Sequence, residues 1–346
     1  MAKKSDSGHA SPNATRRGAR TSYRKKAPPP ENGHASNGLR SAPASSSAFV
    51  LREDGTIEAN EDAQAGDQTR STAPSPPHLV YRNDTRGIWL YHGNSLELLD
   101  AIADKYPDGR FEMIFADPPY FLSNGGITCH AGRMVKVDKG DWDKSRGPEL
   151  NHEFNMEWLR RCQRVLKPNG SIWVSGTHHV IFSIGYAMQQ LSFKILNDIA
   201  WEKPNPPPNL SCRYFTHSTE TILWAAKNEK SRHTFNYQIM REANRGKQMK
   251  TVWEMAAPRN GEKAFGKHPT QKPVALVERC LLASTNEGDL VLDPFLGNGT
   301  TAVACASLSR RCVGVELESN YVEIAAKRVE AVFREPSDLF ALPAPR

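Results

Sequence analysis

The chain has 346 residues, 38% of them hydrophobic, enough for one sizeable α/β core with insertions. No apolar run approaches the roughly 20 residues of a bilayer-spanning helix. The N-terminus lacks the apolar stretch of a secretory signal, and the six cysteines (Cys129, Cys162, Cys212, Cys280, Cys305, Cys312) include no C-x-x-C pair. A spanning protein, a disulfide scaffold and a zinc ribbon are therefore set aside, and a cytoplasmic protein with reduced thiols and no metal is the expectation. The net charge of +7 lies entirely in residues 1–50, which hold nine Lys/Arg against two Asp/Glu.

Residues 1–77 are Ser, Ala, Gly, Pro and charge, a composition too poor in apolar surface to offset the entropy of ordering, so a disordered basic tail is expected. Its cluster Arg16, Arg17, Arg20, Arg24, Lys25, Lys26 suits phosphate contact or simple solubility. The folded part begins near Val80, with strands at 88–92 and 112–115 around a helix at 96–103. Helical spacing follows at 157–166, a Pro168-Asn169-Gly170 turn, a strand at 171–175, a helix at 180–190, and strands at 195–201 and 220–226. Residues 227–266 are polar and read as an irregular insertion. Pro273 opens a helix at 274–284. A strand at 289–292, a Gly-rich turn, a helix at 301–308, a strand at 312–315 and a helix near 321–333 complete the domain, leaving a short tail at 334–346. Strands alternating with helices predict a sheet covered on both faces.

Asp117-Pro118-Pro119-Tyr120 directly follows the apolar run Met113-Ile114-Phe115-Ala116. Two prolines ending a strand also make an ordinary turn, but these four residues have a joint chemical use. An exocyclic amine on adenine or cytosine is a poor nucleophile because its lone pair is delocalised into the ring. Holding its two hydrogens on acceptors lets the nitrogen pyramidalise and aim that lone pair at a methyl group. Asp117 and the Pro118 carbonyl provide two acceptors, Pro118 and Pro119 fix the backbone, and Tyr120 offers a ring on which a base can stack. A duplex substrate then has to flip the base out.

Asp293-Pro294-Phe295-Leu296-Gly297-Asn298-Gly299-Thr300-Thr301 joins a strand to a helix. Glycines there permit close approach of a ligand, and the helix N-terminus favours a carboxylate or phosphate. The spacing is not that of a dinucleotide fingerprint, and the lysine of a phosphate-binding loop is missing. Glu316, closing the next strand, can accept both ribose hydroxyls of a nucleoside. Lys267-His268-Pro269-Thr270-Gln271-Lys272-Pro273 is by itself a polar loop at a helix start and gains meaning only from its position.

These three segments, in this order, resemble the β class of DNA amino-methyltransferases over roughly residues 80–332. The resemblance implies a Rossmann-like S-adenosylmethionine-dependent methyltransferase fold in circularly permuted motif order. Its sheet would have seven strands, mostly parallel with one antiparallel, and helices on both faces. It implies S-adenosyl-L-methionine as cofactor, held by Asn94, Asp117, His268, Pro269, Thr270, Asp293, Phe295, Gly297, Asn298, Gly299, Thr300, Thr301 and Glu316, with Asp117 to Tyr120 catalytic. Asn298 stands where serine is common, and Asn94 where many relatives have aspartate near the adenine ring. The stretches 116–126, 138–144, 209–221 and 246–250 narrow the resemblance to the single-strand-tolerant adenine methyltransferases that accompany GATC restriction systems. That implies DNA as partner, N6-adenine chemistry, GATC as leading target, and a possible homodimer and companion endonuclease. Residues 227–266 would be the target-recognition region, with Arg241, Arg245, Lys247, Lys250 and Arg259 toward DNA and Trp253 packing or stacking. The loop 123–147, with Asn124, Lys136, Lys139, Lys144 and Arg146, would close over the flipped base or reach DNA.

Aspartate rather than serine before Pro-Pro-Tyr favours adenine over N4 of cytosine. Cytosine C5 methylation needs a cysteine nucleophile, usually in a Pro-Cys pair, and the chain has no such dipeptide. A noncatalytic DNA-binding protein with this fold, and a methyltransferase of RNA or protein, are the remaining alternatives.

Overall fold

The computed structural model describes residues 49–52, 57–59, 76–123, 127–130, 133–136 and 143–334. A ribbon, β1 (Phe49–Leu51) and β2 (Ile57–Ala59), precedes β3 (His78–Asn83), β4 (Ile88–His92), α1 (Ser95–Lys105) and β5 (Phe111–Ala116). A second ribbon, β6 (Ile127–His130) and β7 (Arg133–Lys136), leads to α2 (Pro148–Val165), β8 (Leu166–Gly176), α3 (Ile181–Gln190), β9 (Lys194–Glu202) and β10 (Thr219–Ala226). Then come α4 (Tyr237–Ala243), β11 (Val252–Glu254), α5 (Val274–Ser284), β12 (Leu290–Asp293), α6 (Thr300–Ser307), β13 (Arg311–Glu316) and α7 (Ser319–Arg334). No helix among the described residues is long and apolar enough to cross a membrane.

The main sheet has nine strands in the order β11-β9-β10-β8-β5-β12-β13-β4-β3. Strands β8, β5, β12, β13 and β4 are parallel, and β10 runs against both its neighbours. The expected seven strands are all present, and two edges are added to them, β3 antiparallel and β11 parallel. Both escape a reading of hydrophobic runs: β3 is a half-exposed edge strand, and β11 is only three residues long. The four residues of β12 are all buried, as a central parallel strand covered on both faces requires. Helices α5, α6 and α7 cover one face, packing Leu276, Val277, Val303 and Val329 against it; α1, α2 and α3 cover the other with Leu99, Leu159 and Ile184.

Helix α2 starts nine residues before the expected 157 because Pro148 occupies its first turn. The segment 227–266 is not an irregular insertion. Its helix α4 buries Met240, and β11 buries Trp253 against Trp173 (6.1 Å between rings) with the Arg279 guanidinium 5.1 Å from its centroid. A single tryptophan in a three-residue strand gives no periodicity to read, yet its area secures the edge. Within the expected disordered tail, β1 pairs with β2 and Leu51 packs on the core beside α1; the rest of residues 1–75 and the tail after Arg334 lie outside the described residues.

Parallel strands gather their following loops at one end. Asp117 after β5, Asp293 closing β12, Glu316 closing β13 and Asn94 after β4 therefore meet there, where ligands bind in open α/β sheets.

Candidate active site

The backbone after β5 is fixed by a residue far along the chain. The Asp143 carboxylate, fully buried, accepts the N–H groups of Tyr120 (2.8 Å), Phe121 (2.8 Å) and Leu122 (3.1 Å) and the Ser123 hydroxyl (2.9 Å). Four donors on one carboxylate compensate its burial without a cation, and they hold Phe121 in a left-handed conformation at φ 58°. The turn at Asp117 to Tyr120 is thereby set before any ligand arrives.

Asp117 is bound on both oxygens: the Tyr120 hydroxyl donates to Oδ1 at 2.7 Å and the Lys272 ammonium to Oδ2 at 2.6 Å. Glu220, on β10, stands 3.3 Å from the Tyr120 hydroxyl and 3.6 Å from Lys272, and pairs on its other side with Lys203. Burial pushes the Asp117 carboxyl up while Lys272 opposes it, and the buried Tyr120 phenol is held well above its usual value. Tyr120 is 5% exposed and is not among the residues that line the cavity beside Asp117. Carboxylate oxygens retain further lone pairs, and Asp117 can still accept an amine hydrogen.

Beside it lies a cavity of about 420 Å³ lined by Asn94, Asp117, His268, Thr270, Asp293, Phe295, Gly297, Asn298, Thr300, Thr301 and Glu316. Of the expected cofactor residues, Pro269 and Gly299 are outside that wall, as is Pro118 of the catalytic four. Gly299 serves packing: at φ +84°, a Cβ there would lie 2.5 Å from the Ala325 Cβ of α7. Asn94 caps α1, its Oδ1 accepting the Leu96 N–H at 3.0 Å. Asn298 is a cross-strut, donating to Gln271 Oε1 at 2.6 Å and accepting from the buried Arg328, whose guanidinium also bonds the Asn298 carbonyl at 2.6 Å. An amide reaches both partners where a serine hydroxyl would not, which explains the departure from serine. Arg146 and Phe154, to which the sequence assigned no cofactor contact, also line the cavity.

The residues suit S-adenosylmethionine. Glu316 accepts the Gly297 N–H at 2.7 Å and the Glu318 N–H at 2.9 Å, leaving lone pairs for ribose hydroxyls. Phe295 and Phe154, 6.4 Å apart, form an aromatic wall, and the lining sets three carboxyls, Asp117, Asp293 and Glu316, against two cations, Lys272 and Arg146. Burial pushes Asp293 up to about 7 and raises Glu316 as well.

Among the expected lid residues, Asn124 and Lys139 lie outside the described residues. Sequence reasoning missed Lys272, Glu220 and Asp143 as site residues. Each stands inside a stretch that carried the resemblance, yet only the fold shows that the three converge on Asp117-Pro118-Pro119-Tyr120.

A family model described as DNA methylase (N6_N4_Mtase) matches residues 111–327. The chain belongs to this family. The type II methyltransferase M2.DpnII of Streptococcus pneumoniae is 56% identical over 252 residues, 72% of this chain and 92% of the relative. M2.MboI of Moraxella bovis is 46% identical over 252 residues, 73% of this chain and 91% of the relative. The crystal structure of the M1.HpyAVI–SAM complex superposes with a TM-score of 0.54 at 29% identity, covering 70% of this chain and 98% of that one. The cytosine-N4-specific PvuII DNA methyltransferase has the same fold, with a TM-score of 0.54 at 18% identity over 72% of this chain and 90% of that one. This DNA methylase is an S-adenosylmethionine-dependent DNA methyltransferase.

Proposed function

We propose that this enzyme methylates N6 of adenine in GATC, on single-stranded as well as duplex DNA. The observation that carries the reading is Asp117, held at the end of β5 in the wall of the cofactor cavity on a backbone that Asp143 has already fixed. Asp117 and the Pro118 carbonyl accept the two amine hydrogens, so that the lone pair turns toward the cavity. The bound cofactor supplies an electrophilic methyl group, and the transfer is a single displacement with no covalent enzyme intermediate. Aspartate rather than serine in this position supports adenine, and kinship with M2.DpnII and M2.MboI supports GATC.

The topology supports two DNA-facing segments. Residues 203–218 join β9 to β10 at the catalytic end of the sheet, and residues 255–273 cross the same end between β11 and α5. The first displays Phe215, 94% exposed, with Tyr214, Leu210 and Arg213 beside it, a set suited to stacking on unpaired bases and holding phosphates. Arg241 lies on α4, and Arg245, Lys247 and Lys250 between α4 and β11, where Asn236 ties the start of α4 to the carbonyls of Leu282 and Thr285 at the far end of α5. Target reading is therefore assigned to 203–218 and to 255–266, with Arg259, rather than to the whole of 227–266. A cytoplasmic setting, a homodimer and a companion endonuclease for the same site are part of this reading through the type II relatives.

The test is to incubate methyl-labelled S-adenosylmethionine with duplex and single-stranded oligonucleotides that contain or lack GATC, and to identify the labelled nucleoside. Label in N6-methyladenine only at GATC is the expected result. Label in N4-methylcytosine overturns the base, and label independent of GATC overturns the site.

A further inference from the structure

Lys272 is the buried cation of the site. Its side chain is 5% exposed, and its ammonium lies 2.6 Å from Asp117 Oδ2, 3.6 Å from Glu220 Oε2 and 3.2 Å from the Thr270 carbonyl, over the Tyr120 ring at 5.2 Å from the centroid. Taking an ammonium out of water is unfavourable unless carboxylates and hydrogen bonds surround it, and here two carboxylates do. They come from different strands, β5 and β10, so the ion pair forms only in the completed sheet. A purely structural pair needs one carboxylate. The second, Glu220, competes for the same ammonium and is itself paired with Lys203.

We propose that Lys272 and Glu220 are positioning residues that act on Asp117 in opposite senses. Lys272 keeps the Asp117 carboxylate ionised and fixes its Oδ2, while Glu220 draws the ammonium away and limits that hold. The inference rests on the reading of Asp117 as the acceptor for the target amine, and it concerns how strong an acceptor Asp117 is. A fully protonated Asp117 loses lone pairs the amine needs, whereas one bound too tightly to Lys272 offers them poorly.

The charged and titratable groups facing Asp117 are Lys272 from the segment before α5, Tyr120 from its own turn, Glu220 from β10 with Lys203 behind it, and Asp293 from β12. Burial raises Asp117, Lys272 lowers it by charge and by hydrogen bond, and Glu220 raises it again. Lys272 stays charged because Asp117 and Glu220 together outweigh its burial. The two partners therefore predict changes of opposite sign, which a generic packing role does not.

The decisive experiment is a carboxyl carbon NMR titration of cofactor-free protein labelled at aspartate, with Asp117 assigned by its loss in Asp117→Asn. Lys272→Met is expected to move the Asp117 midpoint up by about one pH unit or more, and Glu220→Gln to move it down. The acidic limb of the single-turnover methylation rate should move in the same two directions, so that below the wild-type midpoint Lys272→Met loses about tenfold in rate for every pH unit by which its midpoint rises. Midpoints unmoved in both variants, or moved the same way, overturn the proposal. Should Lys272→Met fail to fold, Glu220→Gln decides alone: a downward midpoint supports it, and an unmoved or upward one overturns it. The titration needs neither DNA nor cofactor, so its outcome is separate from whether adenine is the target.

Discussion

Replacing Asp293 with asparagine should stabilise the fold at pH 8 and leave it nearly unchanged at pH 5. Asp293 is 3% exposed at the end of β12; Oδ1 accepts the Phe295 N–H at 3.0 Å and Oδ2 the Thr301 hydroxyl at 2.5 Å, with no cation bonded to it. Burial, assisted by the Asp117 and Glu316 carboxylates, lifts its pKa from 3.8 to about 7. Between these two values the folded protein holds a proton that the unfolded chain has released, so stability falls as pH rises through that window and stays low above it. At about 1.4 kcal/mol per pH unit, a gap of roughly three pH units amounts to about 4 kcal/mol at pH 8. Asparagine keeps the shape: its Oδ1 accepts the Phe295 N–H, and its Nδ2 donates to a Thr301 hydroxyl that turns from donor to acceptor. Allowing about 1 kcal/mol for the altered hydrogen bond leaves a gain of about 3 kcal/mol. Urea unfolding of cofactor-free protein at pH 5 and pH 8 reads this as a midpoint about 1 M higher at pH 8 only. If wild type and variant show the same pH dependence, Asp293 carries no extra proton in the fold and the burial argument fails.

Asp117→Ala should lower the single-turnover rate by about 100- to 1000-fold or more while the protein stays folded in urea unfolding, since Glu220 still pairs with Lys272. Asp143→Asn places an amide NH₂ among four donors and should destabilise the protein by about 2–3 kcal/mol in urea, with turnover falling in the surviving fold. Phe215→Ala should weaken single-stranded DNA binding by about tenfold in fluorescence anisotropy with cofactor binding unaltered; equal affinity removes the stacking role from the 203–218 loop.

The central strands and both cofactor motifs were legible because buried parallel strands are continuous apolar runs and the chemistry at their ends uses few residue types. What escaped were features whose cause is three-dimensional. Strand β11 is Val-Trp-Glu, and only the packing of Trp253 on Trp173 makes it part of the sheet. Asp143 is one of three aspartates within six residues, and nothing local distinguishes the one that turns inward to four donors. Asn94 and Asn298 line the cavity as expected, but a side chain's loop position does not reveal that one also caps a helix and the other also bonds Gln271 and Arg328.

Asp117 and Asp293 close neighbouring parallel strands, and burial acts on both. Their environments nevertheless differ in one decisive respect. Asp293 meets only a hydroxyl and a backbone N–H and is lifted to about 7, whereas Asp117 has an ammonium on Oδ2 that pulls against its burial. Both carboxyls are raised, but only Asp117 has a cation opposing the rise, a difference that suits a division of labour. Asp117, the carboxyl whose rise an ammonium opposes, is the one the proposed function uses as acceptor for the amine hydrogens. The other sits beneath the cofactor loop, bound to Phe295 and Thr301, and shapes the cradle. Lys272, which creates that difference, reaches Asp117 from a segment 155 residues further along the chain. Closing the sheet around β12 is therefore also what brings the opposing ammonium to Asp117.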